Sequence, residues 1–243
     1  MTRALCPVLL ALAATVGAAD TAVHVADVRL AFGIGPMPDE LEGTITSPAS
    51  SAGNSWRHEY DSVPGLSFTL GAMSGTLDPV GLLWGAQIRS ITGEMDFESL
   101  QVNHGTPMTA KDLQDATGDD LPGMGFSQIG LASNLGFGVA LSPGFHLELV
   151  GIAGLDWTSL DSVAILAGTT DTLITQEGKG RGFTVGGRFG AYWTNPESGW
   201  QFGLEGEYTT TKSEIETSYL DVTMESNLVN SGVSLRGVLG SRF

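Results

Sequence analysis

The feature that most constrains this chain is a two-residue alternation of apolar residues with polar or small ones, which recurs in eight segments. Successive side chains of a β-strand point to opposite faces, so each segment predicts a strand with one apolar face. In the last segment the apolar face carries Val233, Leu235, Leu239 and Phe243. The segments read VRLAFGIG, LSFTLGAM, LLWGAQIRS, QIGLASNLGFGVAL, FHLELVGIAGL, FTVGGRFGAYW, WQFGLEGEY and GVSLRGVLGSRF.

The connections between these segments alternate in length. DPVG, SPG and NPESG read as tight turns from their proline and glycine content. The other connections are long and polar, and they span residues 35–65, 99–125, 159–179 and 217–229. This arrangement predicts an all-β fold, a transmembrane antiparallel up-and-down β-barrel of eight strands with short periplasmic turns and long extracellular loops. The alternative is a soluble exported β-sandwich, although its core would spread the aromatic residues along the strands.

The N-terminus predicts export. Arg3 is the only charged residue in the first nineteen, and an apolar stretch and the small residues GAA follow it. We therefore expect a signal peptide at residues 1–19, cleaved after Ala18 or Ala19, and a barrel domain at residues 20–243. Cys6, the single cysteine, lies inside the signal peptide. The mature chain would then have no disulfide and no thiol chemistry, and no motif predicts a cofactor.

The strand pattern resembles the eight-stranded outer-membrane barrels of the OmpA and OmpX type, over almost the whole of the mature chain. That resemblance implies an outer-membrane location and contact with outer-membrane lipid and lipopolysaccharide. It also implies a C-terminal signal that the barrel-assembly machinery reads, matched here by Phe243, Leu239, Leu235 and Val233. Ser241 departs from the family pattern, in which a larger apolar residue is common.

Large aromatic residues predict one membrane interface. By alternation they face outward beside the short turns or the C-terminus, and they are Trp84, Phe145, Trp193, Trp200 and Phe243. Such rings gather at the interface between hydrocarbon and water, so we expect an aromatic girdle at the periplasmic side. Trp157 and Phe183 are candidates for the opposite belt.

Charged residues predict the contents of the lumen. Four arginines and four acidic residues share the inward face, and they are Arg29, Arg89, Arg188, Arg236, Asp27, Glu148, Glu205 and Glu207. An eight-stranded barrel is only wide enough for its side chains to fill it, and buried charges are costly unless they are paired. We therefore expect a salt-bridge network that plugs the lumen. A path for ions or protons through that network is the alternative.

An enzyme is the second alternative. Two outer-membrane families of this size modify lipid A by deacylation or palmitoyl transfer, and both need a histidine near the outer leaflet with serine and acidic partners. His58 in HEYDS has Asp61 and Ser62 nearby in sequence, which are the residue types of nucleophilic catalysis. The spacing of His58, Asp61 and Ser62 in a polar loop does not place their side chains in a catalytic arrangement. We therefore predict no catalytic residues and a non-enzymatic protein.

The formal net charge of -16 leaves no basic footprint for nucleic acid. Many of the acidic residues lie in the long connections, namely Asp39, Glu40, Glu42, Asp112, Asp115, Asp119, Asp120, Asp161, Asp171, Glu177, Glu216, Asp221 and Glu225. These carboxylates predict at most weak binding of divalent cations, because their spacing matches no EF-hand loop and no metal site is expected. One short helix is expected at TAKDLQDA, with Thr109 as N-cap and Asp112 at the capping-box position.

The whole pattern predicts a non-enzymatic barrel that presents acidic surface loops for envelope integrity, adhesion or recognition.

Overall fold

The computed structural model describes residues 23–47, 50–118, 121, 123–167, 172–219 and 222–243. The expected signal peptide, with both of its candidate cleavage sites and Cys6, lies outside the described residues. Four of the acidic residues assigned to the long connections also lie outside them, namely Asp119, Asp120, Asp171 and Asp221.

The described chain consists of strands and one short helix. The elements in chain order are β1 (Val23–Gly35), β2 (Glu40–Ser47), β3 (Ser50–Ser62), β4 (Gly65–Leu77), β5 (Val80–Val102), β6 (Met108–Thr109), α1 (Ala110–Thr117), β7 (Met124–Ser142), β8 (Phe145–Ala167), β9 (Thr172–Thr194), β10 (Trp200–Tyr219) and β11 (Val222–Arg242).

Eight of these strands close into a ring. Antiparallel ladders join β1, β4, β5, β7, β8, β9, β10 and β11 in that order, and β11 then pairs with β1. The closing ladder runs from Asp27 opposite Arg242 to Ile34 opposite Leu235. The predicted eight-stranded antiparallel up-and-down barrel is confirmed. Closure matters because a sheet edge in hydrocarbon would leave backbone N–H and C=O groups without partners.

The outer wall of this ring is apolar. Alternate residues expose large hydrophobic side chains, for example Phe32 at 52%, Leu131 at 55% and Leu235 at 58%. Their neighbours in sequence point inward, as the alternation predicts. The exposed apolar belt spans the half of the barrel that carries the short turns and continues to about the level of Trp157 and Phe183. A belt of this kind matches the lipid-facing surface of a transmembrane barrel.

The barrel continues well beyond this belt, and strands occupy most of three of the four connections that were expected to be polar loops, namely 35–65, 159–179 and 217–229. Strands β2 and β3 form a hairpin, in which β2 pairs with β11 and β3 pairs with β5. This hairpin replaces the upper parts of β1 and β4 in the wall. Strands β8 and β9 run through most of the third expected loop, 159–179, and strands β10 and β11 run through most of the fourth, 217–229. Strands of 23 residues at a tilt near 45° reach roughly 50 Å, well beyond a hydrocarbon core of about 30 Å.

The polarity of the wall inverts in this upper part. Leu41, Trp56, Tyr60 and Ile215 point inward and are buried, whereas their sequence neighbours are polar and face outward. Water surrounds the barrel above the membrane, so polar residues suit the outside there and apolar residues suit the inside. The same two-residue alternation therefore produces a segment that is polar on its outer face, which sequence reading took for a loop.

One stretch of the wall lacks a regular ladder. The β1–β11 ladder stops at Ile34 opposite Leu235, and the β2–β11 ladder begins at Leu41 opposite Leu228. The intervening segment 36–39 begins with Pro36, whose carbonyl oxygen accepts a hydrogen bond from the Asn230 side chain at 3.0 Å. Prolines 36 and 38 have no N–H to leave unpaired, so they suit a break in pairing.

Helix α1 lies at the extracellular end. Thr109 caps it and forms the capping box with Asp112, which confirms the sequence prediction. Leu113, on its inner face, is 2% exposed and packs against the apolar interior of the upper barrel. Among the described residues, none of the helices has the length and apolar content that a membrane span needs.

Limited trypsin digestion tests whether residues 40–62 belong to the wall. Arg57 is paired on both sides, opposite Glu42 and Gln101, so its backbone cannot enter a protease site without breaking two ladders. Lys111 is 77% exposed near the start of the short helix α1, where fraying is easy. We expect cleavage of the membrane-embedded protein after Lys111 long before cleavage after Arg57, as read by mass spectrometry of the fragments. Equal rates at the two residues would restore the loop interpretation, and urea-unfolded protein is the control for intrinsic cleavage.

Candidate functional site

The lumen of the barrel is filled in three layers. At the periplasmic end lies a small apolar cluster of Val25, Met73, Leu77, Leu83, Ala140 and Val150. A charged layer occupies the middle. Above it lies a larger apolar core, which contains Met37, Leu41, Trp56, Tyr60, Ile91, Met95, Leu100, Leu113, Met124, Phe126, Leu160, Val163, Ile215, Met224 and Leu228. The sequence prediction included the charged layer but missed the upper apolar core, because those residues fell in segments read as loops.

Arg29 organises the lower part of the charged layer. Its Nη1 and Nη2 donate to the two carboxylate oxygens of Glu148 at 2.7 and 2.6 Å, and Nη2 also donates to Asp27 at 2.6 Å. Asp27 accepts a further hydrogen bond from Arg242 Nε at 2.8 Å. Glu148 lies 3.0 Å from His146 Nε2. A planar guanidinium that meets a carboxylate through two donors is the strongest geometry for such a pair.

Tyr192 joins the lower and upper parts of the charged layer. Its ring lies under the guanidinium of Arg29, 4.0 Å from ring centroid to Cζ, and stacks on His146. Its hydroxyl donates to Glu205 at 2.6 Å. A Cβ at Gly190 would come within 2.3 Å of this hydroxyl, so the glycine provides the space that the ring occupies.

Strands β9, β10 and β11 place charges of alternating sign around Glu205 and Glu207. Arg188 is directly opposite Glu207 in the ladder, and Arg236 is directly opposite Glu205. Each arginine also reaches the other carboxylate, with Arg188 Nη1 3.6 Å from Glu205 and Arg236 Nη2 in contact with Glu207. Two carboxylates on one face of a strand repel each other unless cations lie between them, and the cross-strand arginines supply those cations.

Arg89 completes the upper part. Its Nε donates to Asp156 at 3.0 Å, and its Nη2 donates to the hydroxyls of Thr184 and Thr211 at 2.8 Å each. Its Nη1 lies 3.7 Å from Glu207. Every charged lumen residue named in the sequence analysis thus has an ionic partner of opposite sign in the structure.

Sequence reasoning missed two members of this network, Asp156 and Arg242. Asp156 shares the inward parity of Glu148 on β8, and Arg242 shares that of Arg236 on β11, so extending the alternation would have found both. With them, the layer holds five arginines and five carboxylates, which are Arg29, Arg89, Arg188, Arg236, Arg242, Asp27, Glu148, Asp156, Glu205 and Glu207. Their formal charges cancel, as a site buried in a low dielectric requires.

Within the part of the chain that the structure describes, the lumen contains one group with metal-ligand chemistry, and its surroundings do not suit a cation. Asp27, His146 and Glu148 place ligand atoms within 4.8 Å of one another. Arg29 and Arg242 already neutralise both carboxylates, so a divalent ion would face two guanidinium groups at close range. These residues form part of the ion-pair network and do not fit a metal centre.

His58, the candidate catalytic histidine, lies inside the upper apolar core and is 2% exposed. Its Nδ1 lies 2.9 Å from the Tyr60 hydroxyl, and its ring packs against Trp56 and Phe97. Asp61 is exposed on the other face of β3, because it lies three residues from His58 and side chains alternate along a strand. Among the described residues no hydrogen bond joins His58 to Asp61 or Ser62, so the fold does not assemble that group. Burial lowers the pKa of His58 from its ordinary value to about 3.

The residues of the expected periplasmic girdle lie at the periplasmic end of the outer wall. Trp84, Trp193 and Trp200 are 58%, 62% and 53% exposed, and the rings of Phe145 and Trp193 are 4.4 Å apart. Phe243 is 83% exposed, and its backbone N–H donates to the Ala26 carbonyl at 3.0 Å. Leu235 and Leu239 face outward on the same strand. Their roles at the interface and as an assembly signal stay predictions.

The neutral state of His58 generates a pH dependence of stability. His58 lies above the apolar belt, and its pKa is lowered in the folded protein. Below about pH 6.5 the imidazole is therefore protonated in the unfolded chain but stays neutral in the folded protein. The free energy of unfolding is therefore unaffected by His58 above that pH and decreases as the pH falls toward 3. At pH 5 this one group lowers the free energy of unfolding by about 2 kcal/mol. We expect His58→Gln, which keeps a partner for Tyr60 without titrating, to lose less stability between pH 7.5 and pH 5 than the wild type in urea unfolding. His104→Asn, in an exposed turn, is the control, and an unchanged pH dependence in His58→Gln would contradict the assignment.

A comparison with solved structures found a protein of similar architecture. The outer membrane protein OprG from Pseudomonas aeruginosa matches at a TM-score of 0.50 and 14% sequence identity, over 91% of this chain and 97% of that one. Ail, the attachment invasion locus protein of Yersinia pestis, matches at a TM-score of 0.29 and 10% identity, over 87% of this chain and 99% of that one. A TM-score as low as that of Ail supports no further comparison. No protein-family model matches the sequence, and no curated protein matches it. The chain thus has the fold of a small eight-stranded outer-membrane β-barrel, with an apolar outer wall suited to that membrane.

Proposed function

We propose that this protein is a non-conducting, non-enzymatic outer-membrane barrel whose closed lumen makes it a rigid support for a tall acidic extracellular surface. The observation that carries the proposal is the filling of the lumen, with a charged layer at mid-height and an apolar core above it. An ion that entered from outside would have to cross the apolar core without water and then displace paired charges. Both steps are costly in free energy.

The extracellular surface supports a role in envelope integrity, adhesion or recognition. Exposed carboxylates project from the outer face of the extended wall and from helix α1, among them Glu42, Asp61, Asp115, Asp161, Glu177, Glu214, Glu216 and Glu225. Continuous strands hold most of them in fixed positions, which favours a surface that presents charge over one that closes around a substrate. Weak binding of divalent cations by these groups, contact with lipopolysaccharide and recognition by the assembly machinery stay predictions.

Bilayer recording tests the closed lumen. We expect the refolded protein to give no discrete conductance steps in a planar bilayer in concentrated KCl, whereas an open porin under the same conditions does. Steps whose number grows with the amount of inserted protein would contradict the proposal and favour the narrow channel.

Lipid analysis tests the enzyme alternative separately. We expect lipid A from cells that express the protein to keep the same acyl chains as lipid A from cells that lack it. His58 lies within the apolar core, so His58→Gln should change nothing in this comparison. A change in acylation that depends on His58 would overturn the non-enzymatic assignment.

A double-mutant cycle tests the pairing of the lumen charges. Arg29→Met and Glu148→Leu each strand a buried partner, which costs about 3–5 kcal/mol, whereas removing both charges together should cost much less than the sum. Free energies of unfolding measured in denaturant provide the coupling. The exposed pair Lys111 and Asp115 is the control and should couple only weakly. Additive losses at Arg29 and Glu148 would mean that water already screens these charges and that the lumen is open.

A further inference from the structure

The basic residues of this chain are few, and almost all of them are occupied. The chain has 11 lysines and arginines, and all except Arg3 lie in the part that the structure describes. Eight of those ten form ion pairs. Within the described ranges, only Arg181 and Lys212 have no carboxylate within ion-pair distance.

These two cations are neighbours on the outer wall. In the β9–β10 ladder Arg181 is opposite Glu214, and Lys212 is opposite Phe183, two residues along. Arg181 and Lys212 are therefore diagonal partners, with Cα atoms roughly 7–8 Å apart. Both side chains are exposed on the same face of the sheet. Glu214 is also exposed and is the nearest acidic residue by register, yet it makes no ion pair with Arg181.

The pair lies where the apolar belt ends on the extracellular side. Arg181 is opposite Trp157 in the β8–β9 ladder, and Phe183 precedes the lipid-facing Val185 on β9. Trp157 and Phe183 are 46% and 54% exposed. An open groove of about 730 Å³ continues upward from Trp157 and Arg181 along the outer wall, and Glu214, Glu216 and Glu225 also line it. Two cations and two aromatic rings thus share one small surface at the height of the outer-leaflet head groups.

We propose that this surface, made of Trp157, Arg181, Phe183 and Lys212, binds the phosphorylated sugar head group of an outer-leaflet glycolipid of the lipid A type. The guanidinium of Arg181 suits a phosphate through two donors, and the ammonium of Lys212 supplies a second positive charge. Phe183 packs against the upper part of the acyl chains, and Trp157 lies at the boundary between hydrocarbon and head group, where an amphipathic ring is stable. Cations at a membrane surface gain most when their counter-charge is the lipid itself, which explains why these two remain unpaired within the protein.

The inference goes beyond the closed lumen and does not depend on it. It needs only the outward direction of four side chains, so a barrel that conducted ions would leave it unchanged. The experiment below therefore fails or succeeds independently of the bilayer recordings.

Binding of purified lipid A to the detergent-solubilised folded barrel, measured by native mass spectrometry, tests the site. The variant is Arg181→Gln with Lys212→Gln, and the matched control is Arg57→Gln with Lys111→Gln, which removes the same charge from residues that are already paired and do not line the groove. We expect the variant to bind diphosphorylated lipid A roughly tenfold more weakly at low ionic strength, and the control to bind within about twofold of wild type. Equal binding by variant and wild type would overturn the proposal, and so would an equal loss in the control, which would indicate net charge alone.

Two further probes distinguish the lipid from its phosphate. Dephosphorylated lipid A should bind wild type and variant equally, because the cations then have no counter-charge. Inorganic phosphate at millimolar concentration should not displace diphosphorylated lipid A from wild type, since it lacks the acyl chains. Full displacement by inorganic phosphate, or a preference for the dephosphorylated lipid, would contradict a lipid head-group site. The melting temperature of the variant should match that of wild type, since both substituted side chains are exposed.

Discussion

The ladder between β1 and β11 is the interaction on which the rest of the structure depends. Without it the sheet would have two edges in hydrocarbon, each with a row of backbone groups that no water could satisfy. Closure at eight strands fixes a narrow lumen, and a narrow lumen leaves no room for bulk water around charged side chains. The pairing of charges inside follows from that geometry. The network even includes the closing strands themselves, because Arg242 of β11 reaches Asp27 of β1.

The charged layer is distributed so that each carboxylate meets arginines from other strands. Glu205 and Glu207 on β10 are held by Arg188 on β9 and Arg236 on β11, and Glu148 on β8 is held by Arg29 from across the barrel. Such contacts between distant strands resist shearing of one strand against the next, since a shift would separate Arg29 from Glu148 across the lumen. The layer therefore ties the register of the wall to the contents of the lumen. This coupling fits a barrel whose work depends on rigidity.

The upper part of the barrel has the opposite polarity on its two faces from the lower part. In the membrane the outside is apolar and the inside is charged, whereas above it the outside is acidic and the inside is apolar. One continuous sheet carries both patterns, and the change occurs near Trp157 and Phe183. The two unpaired cations lie at that boundary, where the wall meets neither bulk hydrocarbon nor bulk water.

The sequence by itself determined the strands, their number in the ring and the direction of their side chains, because a strand has a period of two and lipid requires one face to be apolar. It also predicted that Arg29, Arg89, Arg188 and Arg236 share the interior with Glu148, Glu205 and Glu207. Only the tertiary structure decided which partner each charge has, since Arg29 and Glu148 are 119 residues apart and meet through barrel closure. The extracellular wall could not be predicted either, because an outward polar face reads as a loop until the β2–β3 hairpin is seen to pair with β11 and β5. The same holds for His58, whose burial depends on apolar residues brought together from many strands and not on its neighbours in the chain.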